Sequence, residues 1–173
     1  MKSEYDESKG KILWCLSKKN GIKLEEPNNN LSNVYIKKAK SALNMLSSAA
    51  EKEELDWMAT TAYYARYFVF YALLQKCGIT SEIHECTISL MQFLFVEENI
   101  IHENMFSEFQ LAKTLRVDTQ YYFAKDLDAN KLKYDADKAR DFVLKIEEII
   151  ENITPEDIKK LRNKIVNVSH SIK

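Results

Sequence analysis

The stretch from Trp57 to Gln75 contains one charged side chain, Arg66, and is otherwise apolar or aromatic on nearly every side. A helix built from it has no wet face, so other helices must cover it on most sides. A bilayer could also cover it, but a central Arg together with Thr60, Thr61, Tyr63, Tyr64, Tyr67 and Tyr71 is costly in lipid and ordinary inside protein. The stretch therefore reads as the central helix of a soluble bundle, with no membrane partner.

The remaining sequence supports that frame. Three Gly and two Pro in 173 residues are too few for a turn-rich sandwich, barrel or propeller, and no Gly-rich turn is present to hold a dinucleotide or a P-loop phosphate. The expected fold is all-α, an up-and-down helical bundle of about five core helices with an extra N-terminal helix and a C-terminal helix. Apolar residues at steps of three and four predict helices over about 3–19, 31–49, 53–76, 81–98, 104–123, 136–152 and from Pro155 onward. Candidate caps are Thr80 or Ser81 for the fourth helix and Asn104 for the fifth. Thr154-Pro155-Glu156-Asp157 restarts the last helix in the order of N-cap, proline and acid. Asp126 to Lys133 is polar and reads as a loop. Lys23 to Asn30, with Pro27 and three consecutive Asn, is the main internal boundary. The resulting division is 1–30 for an N-terminal helix and linker, 31–153 for the bundle and 154–173 for a C-terminal helix packing on it.

A chain of this length can bury roughly 70% of its unfolded surface, so neither disulfides nor a metal are needed for folding. With 25 Lys+Arg against 26 Asp+Glu the formal charge is −1, which removes the basic field of a general nucleic-acid binder; no DNA partner is expected, and any polynucleotide contact must be local. Cys15, Cys77 and Cys86 are odd in number and have no paired spacing, so reduced thiols in a cytoplasmic protein are expected. The polar run from Lys2 to Lys11 does not resemble a secretory signal.

Arginine is scarce: Arg66, Arg116, Arg140 and Arg162 stand against 21 Lys. At about 100° per residue, Met105, Phe109, Ala112, Arg116, Thr119 and Phe123 fall within about 40° of one line, placing Arg116 in an apolar seam. A guanidinium there pairs with a carboxylate from another helix, leaves its head in water, or faces a cleft where it meets a phosphate. Arg66 poses the same question among Tyr63, Tyr64 and Tyr67, where a buried Arg packed among Tyr rings and paired to one Glu is a common core arrangement. Tyr121 and Tyr122 could stack on a base or serve as core or dimer contacts. His84 and Cys86, two apart on a helix, diverge by about 200° and cannot share a metal; no metal or cofactor is expected. With only His84, His102 and His170 available, general base catalysis by histidine has few candidates.

The order of short motifs is informative as a whole. Leu31-Ser32-Asn33-Val34-Tyr35-Ile36-Lys37-Lys38-Ala39, then Ala62-Tyr63-Tyr64-Ala65, then Cys77-Gly78-Ile79 with His84 five residues on, then Arg116 and Tyr121, resembles the HEPN family (higher eukaryotes and prokaryotes nucleotide-binding). Trp14-Cys15-Leu16 and Gly21 to Pro27 look like the leader of some archaeal members, and the resemblance extends from about Trp14 to Ile153. It implies a bundle of about five helices, commonly a homodimer with a cleft near the Arg-bearing helix. Active members are metal-independent ribonucleases, often toxins paired with a small nucleotidyltransferase. Their motif is Arg, four to six residues, then His.

Only the Arg half maps, as Arg116. Tyr121 to Phe123 contains no histidine, and the chain looks like the branch in which a polar-Tyr pair, Gln120-Tyr121, replaces it. A tyrosine with a pKa near 10 is a poor base at neutral pH, so about 10²- to 10⁴-fold in acid/base catalysis is expected to be lost. The first expectation is a catalytically degenerate module of toxin–antitoxin type that binds a nucleotide, RNA or a nucleotidyltransferase through Arg116, Gln120, Tyr121, Tyr64 and Arg66. The alternatives are a ribonuclease toxin using Arg116 with Tyr121 or His84, and a structural helical dimer without a ligand. Five residues on a straight helix separate Arg116 and Tyr121 by about 140°, so sharing one pocket requires a bend or an end near Asp118 to Gln120.

Overall fold

The computed structural model describes residues 2–121 and 128–170, with side chains described for 7–120 and 128–170. Among them seven helices run in chain order: α1 (Lys2–Leu16), α2 (Asn29–Glu51), α3 (Leu55–Lys76), α4 (His84–Leu90), α5 (Glu103–Tyr121), α6 (Ala129–Asn152) and α7 (Pro155–Ser169). The all-α reading is correct, with one addition: a two-residue strand β1 (Lys23–Leu24) pairs antiparallel with β2 (Ile79–Thr80). Phe123, the expected end of the fifth seam, and Tyr122 lie outside the described residues.

The apolar third segment is the centre of the bundle, as its lack of a polar face requires. α3 packs against α2, α5 and α6, with Tyr63, Val69, Phe70, Leu73 and Leu74 fully enclosed. Ile12 and Cys15 of α1 and Leu161, Ile165 and Val168 of α7 join the same core, so both end helices dock on the bundle within one chain.

Local chemistry accounts for most helix ends. Asn28 accepts a hydrogen bond from the Leu31 N–H, starting α2 inside the segment expected to be a linker. Thr154 and Asp157 form the reciprocal capping box foreseen for α7, with Pro155 at the first turn. The fifth helix is capped differently: His102 Nδ1 accepts from the Asn104 N–H, and the helix begins at Glu103. Thr80 and Ser81 do not cap α4. Gly78, at φ +65°, turns the chain so that Thr80 pairs with Lys23, and the helix begins only at His84. A Cβ on Gly78 would lie 2.4 Å from the Glu25 carbonyl oxygen and 2.5 Å from Arg162 Nη1, so glycine is required there by space and by backbone angle alike.

Three further expectations need correction. The polar run ending at Lys133 is already helical from Ala129, because Asp128 caps α6 through the N–H groups of Asn130 and Lys131. The fourth helix does not continue uniformly to Glu98: past Leu90 it widens into a π-helical turn over Met91–Val96, which buries Phe93, Leu94 and Phe95 together. Cys15 and Cys86 are not free thiols but a disulfide, with Cα atoms 5.7 Å apart. Their separation of 71 residues conceals that α1 lies against α4. Cys77 is the free, buried thiol among the described residues, and burial pushes it up to about 12.

Candidate functional site

Arg116 lies in the apolar seam of α5 as its spacing requires, one turn past the buried Ala112 and facing α3. What it meets there is aromatic. Its guanidinium carbon is 5.5 Å from the centre of the Tyr63 ring and 5.3 Å from that of Tyr64, and Nη2 donates to the Tyr64 hydroxyl at 3.4 Å. Nε is buried with no hydrogen-bond partner, and Arg116 takes part in no ion pair among the described residues.

Arg66 has a different fate. On the face of α3 toward α6 it is fully buried, with Nη2 3.1 Å from Asp135 Oδ1 and Nη1 3.2 Å from Oδ2. Nη2 also donates to the Asp135 carbonyl at 2.7 Å and Nη1 to that of Ala62. Burial raises the Asp135 carboxyl and the Arg66 charge opposes that rise. Arg66 is paired within the core as expected, but to Asp135 and not to a Glu. Both terminal nitrogens are engaged, Nε is buried without a partner as in Arg116, and full burial leaves no ligand contact open to it.

His84 enters the Arg116 neighbourhood from α4. Its Nε2 is hydrogen-bonded to the Tyr63 hydroxyl, and its ring stacks on Tyr67 with centroids 4.4 Å apart. Burial is the main cause holding the imidazole below its ordinary 6.5, and Lys113 and Arg116 add to it while Glu85 opposes. Burial also raises the Tyr63 phenol, which therefore keeps its proton, and the tautomer of the neutral ring sets which of the hydroxyl and Nε2 donates. The structure thus brings together Arg116, Tyr64 and His84. Gln120, one turn beyond Arg116, is exposed, and α5 runs without a break through Tyr121, whose side chain lies outside the described residues.

The sequence reading missed Tyr63 as the link between His84 and Arg116, and missed Lys113, which pairs with Glu85 at the rim. The signal for Lys113 was present: it precedes Arg116 by three residues and so shares its side of α5.

A cavity of about 840 Å³ between α1, α4 and α5 lies beside this site and is not lined by Arg116. Glu7, Glu85, Glu97, Glu103 and Asp118 outnumber Lys11 and Lys113 on its wall, a balance that repels an anion. Among the described residues no three His, Cys, Asp or Glu converge as a metal would need, and no helix is long and apolar enough to cross a membrane.

Comparison with curated proteins returned no match. The family model of the HEPN domain matches residues 32–158, from the first turn of α2 into α7 and over well more than half of the chain, and the protein therefore belongs to the HEPN family.

Proposed function

We propose that this chain is a homodimeric HEPN module that binds a nucleotide or RNA phosphate at Arg116. In this reading it acts beside a small nucleotidyltransferase as one half of a toxin–antitoxin pair, with little or no cleavage of its own. The observation that supports phosphate binding is the state of the Arg116 guanidinium. It lies over two tyrosine rings, its Nε is buried without a partner, and among the described residues no carboxylate neutralises it. A forked cation in that state is matched by a phosphate, whose oxygens accept two parallel hydrogen bonds. Weak cleavage follows from the missing histidine after Arg116 and from the Tyr63 phenol occupying His84 Nε2.

Fluorescence anisotropy with a 5′-phosphorylated oligouridine tests the site. Binding is expected for the native protein and its loss for Arg116→Ala; equal binding by both proteins overturns the assignment. Co-purification of the chain with a co-expressed small nucleotidyltransferase tests the partner, and its failure removes the toxin–antitoxin part.

One observation favours a second reading, a metal-independent ribonuclease: His84 and Arg116 both lie against Tyr63, and the imidazole is held neutral. In that chemistry the Tyr63 phenol oxygen accepts from His84 Nε2–H, the unprotonated Nδ1 takes the proton of a 2′-hydroxyl, and the 2′ oxygen attacks the phosphorus held by Arg116. The 5′ oxygen leaves with a proton returned by the imidazolium, giving a 2′,3′-cyclic phosphate. Cleavage in EDTA that disappears in both His84→Ala and Arg116→Ala would replace the binding reading with this one.

A further inference from the structure

A pocket of about 200 Å³ opens where the segment before α2 meets the bundle, and it shares no residue with the Arg116 patch. Its wall comes from parts of the chain distant in sequence: Glu25 beside β1, Tyr35 of α2, Tyr71 and Gln75 of α3, and Glu82 after β2. Three contacts hold these parts together. β1 pairs with β2, the Asn28 N–H donates to the Gln75 carbonyl at 2.9 Å, and the Tyr71 hydroxyl donates to the Ser81 carbonyl at 3.2 Å. The pocket is therefore preformed.

Gln75 is the residue that the fold leaves unexplained. It is only 3% exposed, yet its side-chain amide has no hydrogen-bond partner among the described residues. An enclosed primary amide has up to four bonds to make, and leaving them unmade costs stability unless something in the pocket takes them. The charges around it are unbalanced. Glu25 takes part in no ion pair among the described residues, and Glu82 meets Lys23 at 3.8 Å on an exposed rim, where such a pair is weak. Ring faces take no part, because Tyr35 and Tyr71 pack on each other with centroids 4.7 Å apart and Lys38 lies over Tyr35. Burial pushes the Tyr71 phenol up to about 12, with Tyr35, Tyr67 and Glu25 adding to the rise and the Ser81 bond opposing it. The phenol stays neutral, and the wall carries two carboxylates against one ammonium.

We propose that this pocket binds a guanidinium group, with the Glu25 and Glu82 carboxylates balancing its charge and the Gln75 amide oxygen accepting one of its N–H donors. The negative wall selects a cation. A pocket below the roughly 300–1,000 Å³ of whole-ligand sites takes a head group. A guanidinium carries five N–H donors in one plane and is weakly hydrated, so it suits several acceptors placed around it. An ammonium is a strongly hydrated point charge, and a metal ion needs acids converging in a way that the described residues do not provide. The head group comes from free arginine or from an arginine side chain of a partner peptide, with the same chemistry at the pocket.

Isothermal titration calorimetry at constant ionic strength compares L-arginine, N-acetyl-arginine methylamide, L-citrulline and L-lysine on the native protein, Glu25→Gln, Glu82→Gln and Gln75→Leu. Glu25 and Glu82 are exposed, so their variants keep the fold even if Gln75→Leu does not. An arginine compound is expected to bind in the millimolar range or tighter, and about tenfold more tightly than lysine or than citrulline, which keeps the shape without the charge. Glu25→Gln and Glu82→Gln should each lower that affinity by about tenfold, and Gln75→Leu by less, since a neutral acceptor is lost. Binding of the capped compound assigns the pocket to a partner's side chain, and binding of the free amino acid alone assigns it to arginine itself; both uphold the proposal. It is overturned if neither arginine compound binds, if citrulline or lysine binds as tightly, or if affinity is unchanged in both Glu25→Gln and Glu82→Gln. Each of these outcomes leaves the Arg116 assignment standing, because the pocket holds no residue of that patch.

Discussion

Tyr63 and His84 stand 21 residues apart in the chain, yet the phenol of one is hydrogen-bonded to Nε2 of the other, on the patch that also receives Arg116. That contact holds the imidazole in place, and its burial there gives the patch a pH dependence. Because burial lowers the His84 pKa in the folded state, an unfolded chain binds its proton first on acidification. The stabilising contribution is complete above the ordinary 6.5 and is lost as the pH falls from there through the folded-state value. Thermal melts at pH 7.5 and 5.5 should show a larger loss for the native protein than for His84→Gln; parallel losses would remove His84 as the cause.

Arg116 is expected to discriminate charge from shape. Arg116→Ala should weaken binding of the phosphorylated oligonucleotide by about one to two orders of magnitude, the range for a hydrogen bond to a charged group. Arg116→Lys keeps the charge without the fork and should recover only part of the loss, since an ammonium cannot make two parallel bonds. Binding isotherms for the three proteins decide it, and full recovery by Lys would assign the site to charge alone.

The core ion pair predicts an asymmetry. Asp135→Asn leaves the enclosed Arg66 charge without its counter-ion and should cost about 3–5 kcal/mol in urea unfolding. Replacing both partners with apolar residues, Arg66→Met with Asp135→Leu, should return most of that stability, because two desolvated charges are then absent. A double variant as unstable as the single one would show that the pair contributes more than it costs to bury.

The Cys15–Cys86 disulfide closes a loop of 71 residues between α1 and α4. By loop-closure entropy its reduction should remove about 4 kcal/mol. Melts with and without reductant, and of Cys15→Ser, measure this. Limited proteolysis of the reduced protein should cut first near α1, and an unchanged melt would mean that packing of Ile12, Leu13 and Leu16 holds the helix without the disulfide.

Most of the helices were legible because their signals are local. The periodic stripes of α2 and α6 and the Thr154-Pro155 start of α7 each lie within a turn or a few turns of chain. The start of α4 was not, since Thr80 is claimed by Lys23, 57 positions earlier, through the strand pair that Gly78 turns. The cap of α5 was misplaced by two positions because a His nitrogen, seldom counted among N-caps, takes that role.

The two central arginines divide the problem. Periodicity determined by itself that Arg66 and Arg116 both face apolar surroundings, because the direction of a side chain on a helix depends only on its position along the chain. Whether each finds an acid depends on which helix lies opposite, and only the tertiary structure decided that. α6 brings Asp135 to Arg66 across 69 residues, while α3 offers Arg116 the Tyr63 and Tyr64 rings and, among the described residues, no carboxylate. One guanidinium became part of the core and the other kept its charge over two rings, because burial with a counter-ion neutralises a charge and packing against aromatic faces does not.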